Sequence, residues 1–219
     1  KKFASIVKYH NAQVRAVATS AVREASNNSE FVNRVLQETG ITVEIIDGKT
    51  EANLIFTGMK NALPVKDKSV LGIDIGGGST EFIHAIDGKT QFTESVKVGA
   101  VRLSKMFFPN FIINDDSVKK CEEYVADQIL SNKNILKDIV EDFAIGSSGT
   151  VDTICLVKEH QKKVKVTKEL NGYEFYKTEF DEVYNLIMNL KSSEERMRIP
   201  GIESKRADVI PAGLIILKQ

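Results

Sequence analysis

Asp74 and Glu81 bracket three consecutive glycines, and apolar segments flank the whole ("VLGIDIGGGSTEFIHAI", 70–86). Glycine carries an entropic penalty on folding, so three in succession indicate that something must approach the backbone closely. A turn without side chains exposes several N–H groups, and converging donors with no Cβ in the way bind anions, phosphate above all. Two carboxylates beside such a site would repel the ligand unless a cation lay between them, which points to Mg²⁺. Other glycine motifs do not fit. A dinucleotide-binding fingerprint needs a third glycine where Glu81 stands and a helix after the turn; a Walker A loop needs a lysine and a helix. The segment that follows, "TEFIHAI", reads as a strand. The motif is therefore a strand–glycine turn–strand hairpin, with a tight hairpin that binds nothing as the plain alternative.

Around this motif the chain alternates strands and helices. "VRAVAT" (14–19) and "TVEIID" (42–47) read as strands, and "SAVREAS" (20–26) as a short helix. A second helix starts with Ser29 as N-cap and ends at Gly40, a natural C′ residue. Apolar spacing at Ala52, Ile55, Phe56 and Met59 predicts a helix over 50–63. This alternation argues for an α/β domain. The polar, proline-containing "PVKDKS" (64–69) is the expected boundary, giving domains 1–66 and 67–219. Beyond it, strands at 70–75, 80–86 and 90–98 are joined by the glycine turn and by Asp87-Gly88, a strong hairpin signal, so they form an antiparallel meander. Helices are expected near 100–107, 115–139, from "GSSGT" (146–150) to His160, at 178–191 opened by Thr178, and from Ser204 onward, with a strand at 143–145.

Composition narrows the class. The 219 residues carry 30 basic and 30 acidic side chains, so the net charge is zero and no overall field draws the chain to nucleic acid or an acidic membrane. No apolar run is long enough to span a bilayer and no signal peptide is visible. Cys121 and Cys155 lack metal-ligand spacing; two free thiols suit a reducing cytosol and read as small core residues. His10, His84 and His160 are scattered, without triad or metal spacing. "VKEHQKKVKVTKEL" (157–170) carries five lysines that could track a polyanion, although a solvated loop and helix end explains them too; "MFF" (106–108) reads as core. The first residues look like the end of a helix and the last like an uncapped one, so the chain is expected to be part of a longer protein.

"DIGGGSTE" resembles the second phosphate loop of the exopolyphosphatase/guanosine pentaphosphate phosphohydrolase (Ppx/GppA) family, a branch of the actin–hexokinase–Hsp70 fold. "ATSAVREASN" (18–27), "EIIDGKTEANLIFTGM" (44–59), "GAVRLSKMFFP" (99–109), "GSSGT" (146–150) and "RADVIPAGLIIL" (206–217) resemble further family segments, in family order. The resemblance implies an actin-like, ribonuclease H-like two-lobe α/β fold, here a fragment lacking the start of the first lobe. It also places Glu51 at the catalytic carboxylate and Asp74 and Glu81 near the metal and water. Gly76, Gly77, Gly78, Ser79 and Thr80 fall on the phosphate-gripping loop. Arg23 falls where an arginine could face polyanionic substrate. Gly146, Ser147, Ser148, Gly149 and Thr150 resemble the motif that lies near the adenosine in nucleotide-using relatives. Thr50 and Asn53 stand where the family commonly has an acidic residue and an arginine, and the family's first phosphate loop would lie before Lys1.

The implied activity is hydrolysis of terminal phosphoanhydride bonds. It would release orthophosphate from inorganic polyphosphate, convert pppGpp to ppGpp, or both, with Mg²⁺ taking up charge and Glu51 accepting a proton from water. The implied enzyme is cytoplasmic, and a homodimer is compatible with it. Another reading is a nucleotide- or alarmone-binding sensor of the same fold with little turnover, and a sugar or acetate kinase is a third. On the residues alone, Glu51 is only a carboxylate in the first turn of a helix, equally explained by the helix dipole.

Overall fold

The computed structural model describes residues 1–131, 140–162 and 170–219, and within them the contacts divide the chain into two compact units, Lys1–Glu51 and Ala52–Gln219. In the first unit, α1 (Lys2–His10) precedes strand β1 (Ala16–Ala18), α2 (Ser20–Arg23), α3 (Asn28–Thr39) and strand β2 (Val43–Ile45). β1 and β2 pair in parallel, Ala16 opposite Val43. The helical crossover between them is the connection that parallel strands require. Gly40 closes α3 as expected, at φ 72° with its N–H on the Leu36 carbonyl, but the N-cap is Asn27 rather than Ser29. Of this unit only Ala18, Ser20 and Ile46 are buried, while Phe3, Tyr9, Val17, Phe31 and Leu36 are exposed.

α4 (Gly48–Ala62) begins in the first unit and runs on into the second. Asp47 caps it, its Oδ1 accepting the Thr50 N–H at 2.7 Å. The sequence set the boundary at 66/67; by contacts the helix beyond Glu51 goes with the second unit. The reason is its apolar face: Ala52, Phe56 and Met59 are buried with Val65, Val70, Ile83, Ala85 and Ile145.

The second unit is built on a four-stranded sheet in the order β5-β4-β3-β6, formed by β3 (Ser69–Ile75), β4 (Thr80–Ile86), β5 (Lys89–Val96) and β6 (Phe143–Ser147). β3, β4 and β5 form the expected antiparallel meander, and β6 adds in parallel to β3. Alternation splits the strands between two cores. Val70, Ile83, Ala85 and Ile145 face α4, whereas Ile73, Ile75, Phe82 and Val96 face α5 (Ala100–Phe107), α6 (Asp115–Ser131) and, near the end of the chain, α11 (Ile210–Lys218).

A third cluster joins α11 to α7 (Gly149–Gln161), α8 (Lys177–Met188) and α10 (Ser204–Ala207). The final expected helix is in fact two, α10 and α11, split at Asp208-Val209, and a further short helix, α9 (Ser193–Arg196), precedes them. α8 is capped by Tyr176 and Glu179 rather than by Thr178. The end of the helix expected over 115–139 falls on 132–139, outside the described residues.

Candidate functional site

The glycine turn lies at one end of the sheet, where the registers align four polar residues. Asp74 is opposite Glu81 in the β3–β4 ladder and opposite Ser147 in the β3–β6 ladder; Glu81 is opposite Ser95. Ser95, Glu81, Asp74 and Ser147 thus form one row across the sheet, on the face that carries Val70 and Ile83. The sequence brought the two carboxylates close along the chain; the antiparallel register makes them direct neighbours, with Cβ atoms about 5 Å apart. Glu81 is fully buried, and its Oε1 accepts hydrogen bonds from Ser79 Oγ at 2.8 Å and Ser95 Oγ at 2.7 Å.

The turn itself is one-sided. Every carbonyl oxygen from Gly76 to Ser79 is bonded. Gly76 O accepts from Ala100 N, Gly77 O from Val101 N and Arg102 N, and Ser79 O from Gly76 N, all at 2.9–3.0 Å. Gly78 O accepts from Arg102 Nε at 2.8 Å. Among the described residues, the N–H groups of Gly77, Gly78 and Ser79 have no backbone acceptor. The Ala100, Val101 and Arg102 N–H groups on the Gly76 and Gly77 carbonyls are first-turn donors of α5, which an isolated helix leaves unpaired. The loop therefore caps α5, and α5 turns the loop's carbonyls away from the remaining N–H groups. What stays available is three successive donors and no acceptor, the electrostatic requirement of an anion.

Each expected loop residue thus has a distinct place. Gly77, Gly78 and Ser79 offer backbone donors, while the Gly76 N–H is already on Ser79 O. The Ser79 hydroxyl goes to Glu81, and the Thr80 hydroxyl to Val98 O at 2.6 Å, both inside the fold. None of the three glycines has positive φ. Close approach explains Gly76 and Gly77 instead, since a Cβ on Gly76 would stand 2.9 Å from Ser79 O and one on Gly77 3.3 Å from Val101 Cγ2.

The "GSSGT" segment carries β6 into α7. Ser147 ends the strand beside Asp74, and Ser148 takes φ 104° to make the turn. The Ser148 Oγ is buried, with no hydrogen-bond partner among the described residues. The Arg206 guanidinium occupies the space where a Cβ on Gly149 would lie. Thr150 is buried and packs on Gly213 of α11, so its role is internal.

In the first unit, Arg23 and Glu51 are together. Arg23 Nη1 donates to Ile46 O at 2.7 Å and to Glu51 Oε2 at 3.2 Å, with both side chains mostly buried. Arg23, expected to face a polyanion, is thus engaged in holding the carboxylate in place.

Sequence reasoning missed Gly99, Arg102, Ser95 and Arg206 as site residues. "GAVRL" was visible only as a family segment; that its N–H groups cap the loop depends on the fold. Of the lysine-rich stretch, Lys158 pairs with Glu182 at 2.8 Å, and Lys162 binds Tyr173 Oη at 3.0 Å; Lys163, Lys165 and Lys168 lie outside the described residues. In "MFF", Phe108 is core, but Met106 is half exposed. His84 meets Ser69 Oγ at 3.1 Å, and among the described residues no three His, Cys, Asp or Glu side chains cluster as a metal cage. No helix among the described residues is long and apolar enough to cross a membrane.

Comparison with known proteins fits this geometry. The chain is 30% identical to a bifunctional 3-dehydroquinate synthase/phosphatase of Fusobacterium nucleatum, matching all of this chain and 33% of that protein. It is 25% identical to exopolyphosphatase 1 of Mycobacterium leprae, over 94% of this chain and 60% of that one. The chain thus spans a third to three fifths of these relatives' length. A crystal structure of an exopolyphosphatase from Cytophaga hutchinsonii superposes with a TM-score of 0.90 at 30% identity, covering 99% of this chain and 70% of the other. The Aquifex aeolicus Ppx/GppA family member gives 0.79 at 25% identity, covering 99% and 69%. The mixed α/β fold is shared with these structures. The profile of the Ppx/GppA phosphatase family matches residues 1–219 in full, and the chain belongs to that family.

Proposed function

We propose that the protein containing this chain hydrolyses terminal phosphoanhydride bonds, releasing orthophosphate from inorganic polyphosphate, from the 5′ end of pppGpp, or from both. The observation that carries this reading is the donor-only face of the glycine turn. It suits a phosphoryl group, whose charge is spread over three equatorial oxygens in the transition state. Gly77, Gly78 and Ser79 would bind those oxygens through their N–H groups. Glu51, matched to the family's catalytic carboxylate and oriented by Arg23, would take a proton from the attacking water, a role typically worth ~10²–10⁴ in rate.

The adjacent carboxylates of Asp74 and Glu81 fit a divalent cation. Mg²⁺ is ordinarily held by one or two carboxylates together with water and substrate phosphates, so a pair without a larger cage suffices. Asp74 is the more accessible of the two; Glu81 is buried and already bonded through Oε1 to two hydroxyls. When bound, Mg²⁺ would neutralise phosphate charge.

The test is phosphate release by the full-length protein from polyphosphate and from pppGpp, with and without Mg²⁺, for wild type and Glu51→Gln. The amide keeps the shape and cannot accept the proton, so kcat should fall at least about a hundredfold with KM nearly unchanged. A variant within about threefold of the wild-type kcat would remove Glu51 from the mechanism.

A further inference from the structure

We propose that the N-terminus of α5, through Arg102 and the Ala100 N–H, positions the glycine loop and thereby fixes its preference for anions. The inference rests on the phosphate-binding reading above and adds to it the device that sets the loop's polarity. A free glycine turn would present carbonyls and N–H groups alike, because glycine places no restriction on which way each peptide faces. A carbonyl turned toward the ligand would repel phosphate as strongly as an N–H attracts it.

Here every peptide plane of the turn is locked. Ala100 N, Val101 N and Arg102 N take the carbonyls of Gly76 and Gly77, and Arg102 Nε takes that of Gly78 at 2.8 Å. Once a carbonyl is fixed on α5, the N–H on the opposite edge of the same peptide must face away from it. The carbonyls of Gly76, Gly77 and Gly78 belong to the same peptide planes as the N–H groups of Gly77, Gly78 and Ser79. Those three N–H groups are the ones that lack a backbone acceptor among the described residues. Three clamps on one side account for three donors on the other.

Gly99 makes the clamp possible. A Cβ there would lie 2.5 Å from Gly77 C, Gly77 O and Gly78 C, so the loop backbone rests directly on residue 99. Arg102 acts through the Gly78 peptide rather than on substrate and is a positioning residue. Its side chain holds the one carbonyl that no helix N–H reaches.

The test separates this device from direct contact and from the loop reading itself. In the full-length protein, Arg102→Met keeps the aliphatic stem and removes the donor. Ala100→Pro removes a clamp without changing charge. Proline is tolerated at the first helical position, and Gly99 already has the extended backbone (φ −142°, ψ 150°) that a following proline requires. Both variants should raise the KM for tripolyphosphate about tenfold with kcat within about threefold. Both should also weaken the amide shift changes that inorganic phosphate induces at Gly77, Gly78 and Ser79. Arg102→Lys, which restores one donor, should recover part of the loss.

If Arg102→Met raises KM and Ala100→Pro does not, Arg102 touches the ligand directly and the positioning role is overturned. Unchanged KM and amide shifts in both overturn it as well. Gly77→Val serves as the control for the site: should it leave tripolyphosphate binding intact, the loop is no phosphate site, and that reading falls rather than the clamp. Where Arg102→Met does not fold, Ala100→Pro and Arg102→Lys with the same two readouts decide the matter.

Discussion

Arg23 is the residue to which the structure adds most. From sequence it was an arginine available to a polyanion; in the fold its Nη1 is shared between the Ile46 carbonyl and the Glu51 carboxylate. An arginine in the second helix and a glutamate at the start of the fourth give no local signal of contact, because the pairing spans 28 residues and depends on the β1–β2 crossover. Bonds that orient a catalytic group act on rate, since a displacement of an ångström can cost a hundredfold. Arg23→Gln in the full-length protein should therefore lower kcat by about tenfold or more while changing KM little. Steady-state phosphate release checks this; a kcat within twofold of wild type would leave Arg23 without an orienting role. The glycines 76–78 show the opposite case. Their importance was legible, and so was the reason, close approach to the backbone; what was not legible is what approaches, the Ser79 carbonyl at Gly76 and the Val101 side chain at Gly77.

Elements with a clear hydrophobic period were legible, among them α4, α5 and the β3–β4–β5 meander, because burial of one face writes itself into the spacing. α9, four residues long, was not, nor was the break that ends α10 after four residues, although its start at Ser204 was. A single turn has no period to read, and such helices persist only where tertiary contacts hold them. For α9 and α10 the contact is Arg196, fully buried, with Nε on Ala207 O at 2.7 Å, Nη1 on Leu190 O at 3.0 Å and Nη2 on Phe111 O at 2.6 Å. The guanidinium thus ties the end of α8, both short helices and the turn after α5. That turn includes Asn110 and Phe111, both at positive φ, which a non-glycine chain holds only when its surroundings impose it. Arg196→Met would remove the donor from one buried and two partly buried carbonyls, a loss on the order of 3–5 kcal/mol by comparison with other broken buried networks. Urea unfolding followed by circular dichroism should show the midpoint falling accordingly. A shift below about 0.5 kcal/mol would mean that α9 and α10 are held by packing alone.

At the scale of the whole molecule, burial is concentrated in the unit Ala52–Gln219, and several groups whose protonation depends on it belong to that unit. Burial pushes the Cys121 thiol up from 9.0 to about 12, with Glu122 adding to the shift, and the Cys155 thiol up from 9.0 to about 11, with Asp152 adding. Tyr184 is raised by burial and by its hydrogen bond to Glu122, and Lys218 is raised chiefly by its bond to the same carboxylate. All four prefer their protonated form in the folded state. Their contribution is therefore complete below about pH 9, where the unfolded thiols are still protonated, and is lost as the pH rises through 9–12. The same fact makes both thiols poor nucleophiles in the native protein, as core cysteines are. Unfolding midpoints measured in urea from pH 7 to pH 11 should stay level as far as these groups are concerned up to about pH 9 and then fall. Replacing both cysteines by alanine should flatten the alkaline limb relative to wild type, because two of the four titrations are removed, while the midpoint at pH 7 drops modestly from lost packing. An alkaline limb of unchanged steepness in the double variant would show that neither thiol resists ionisation in the fold, and that the core around α6 and α7 admits charge or water.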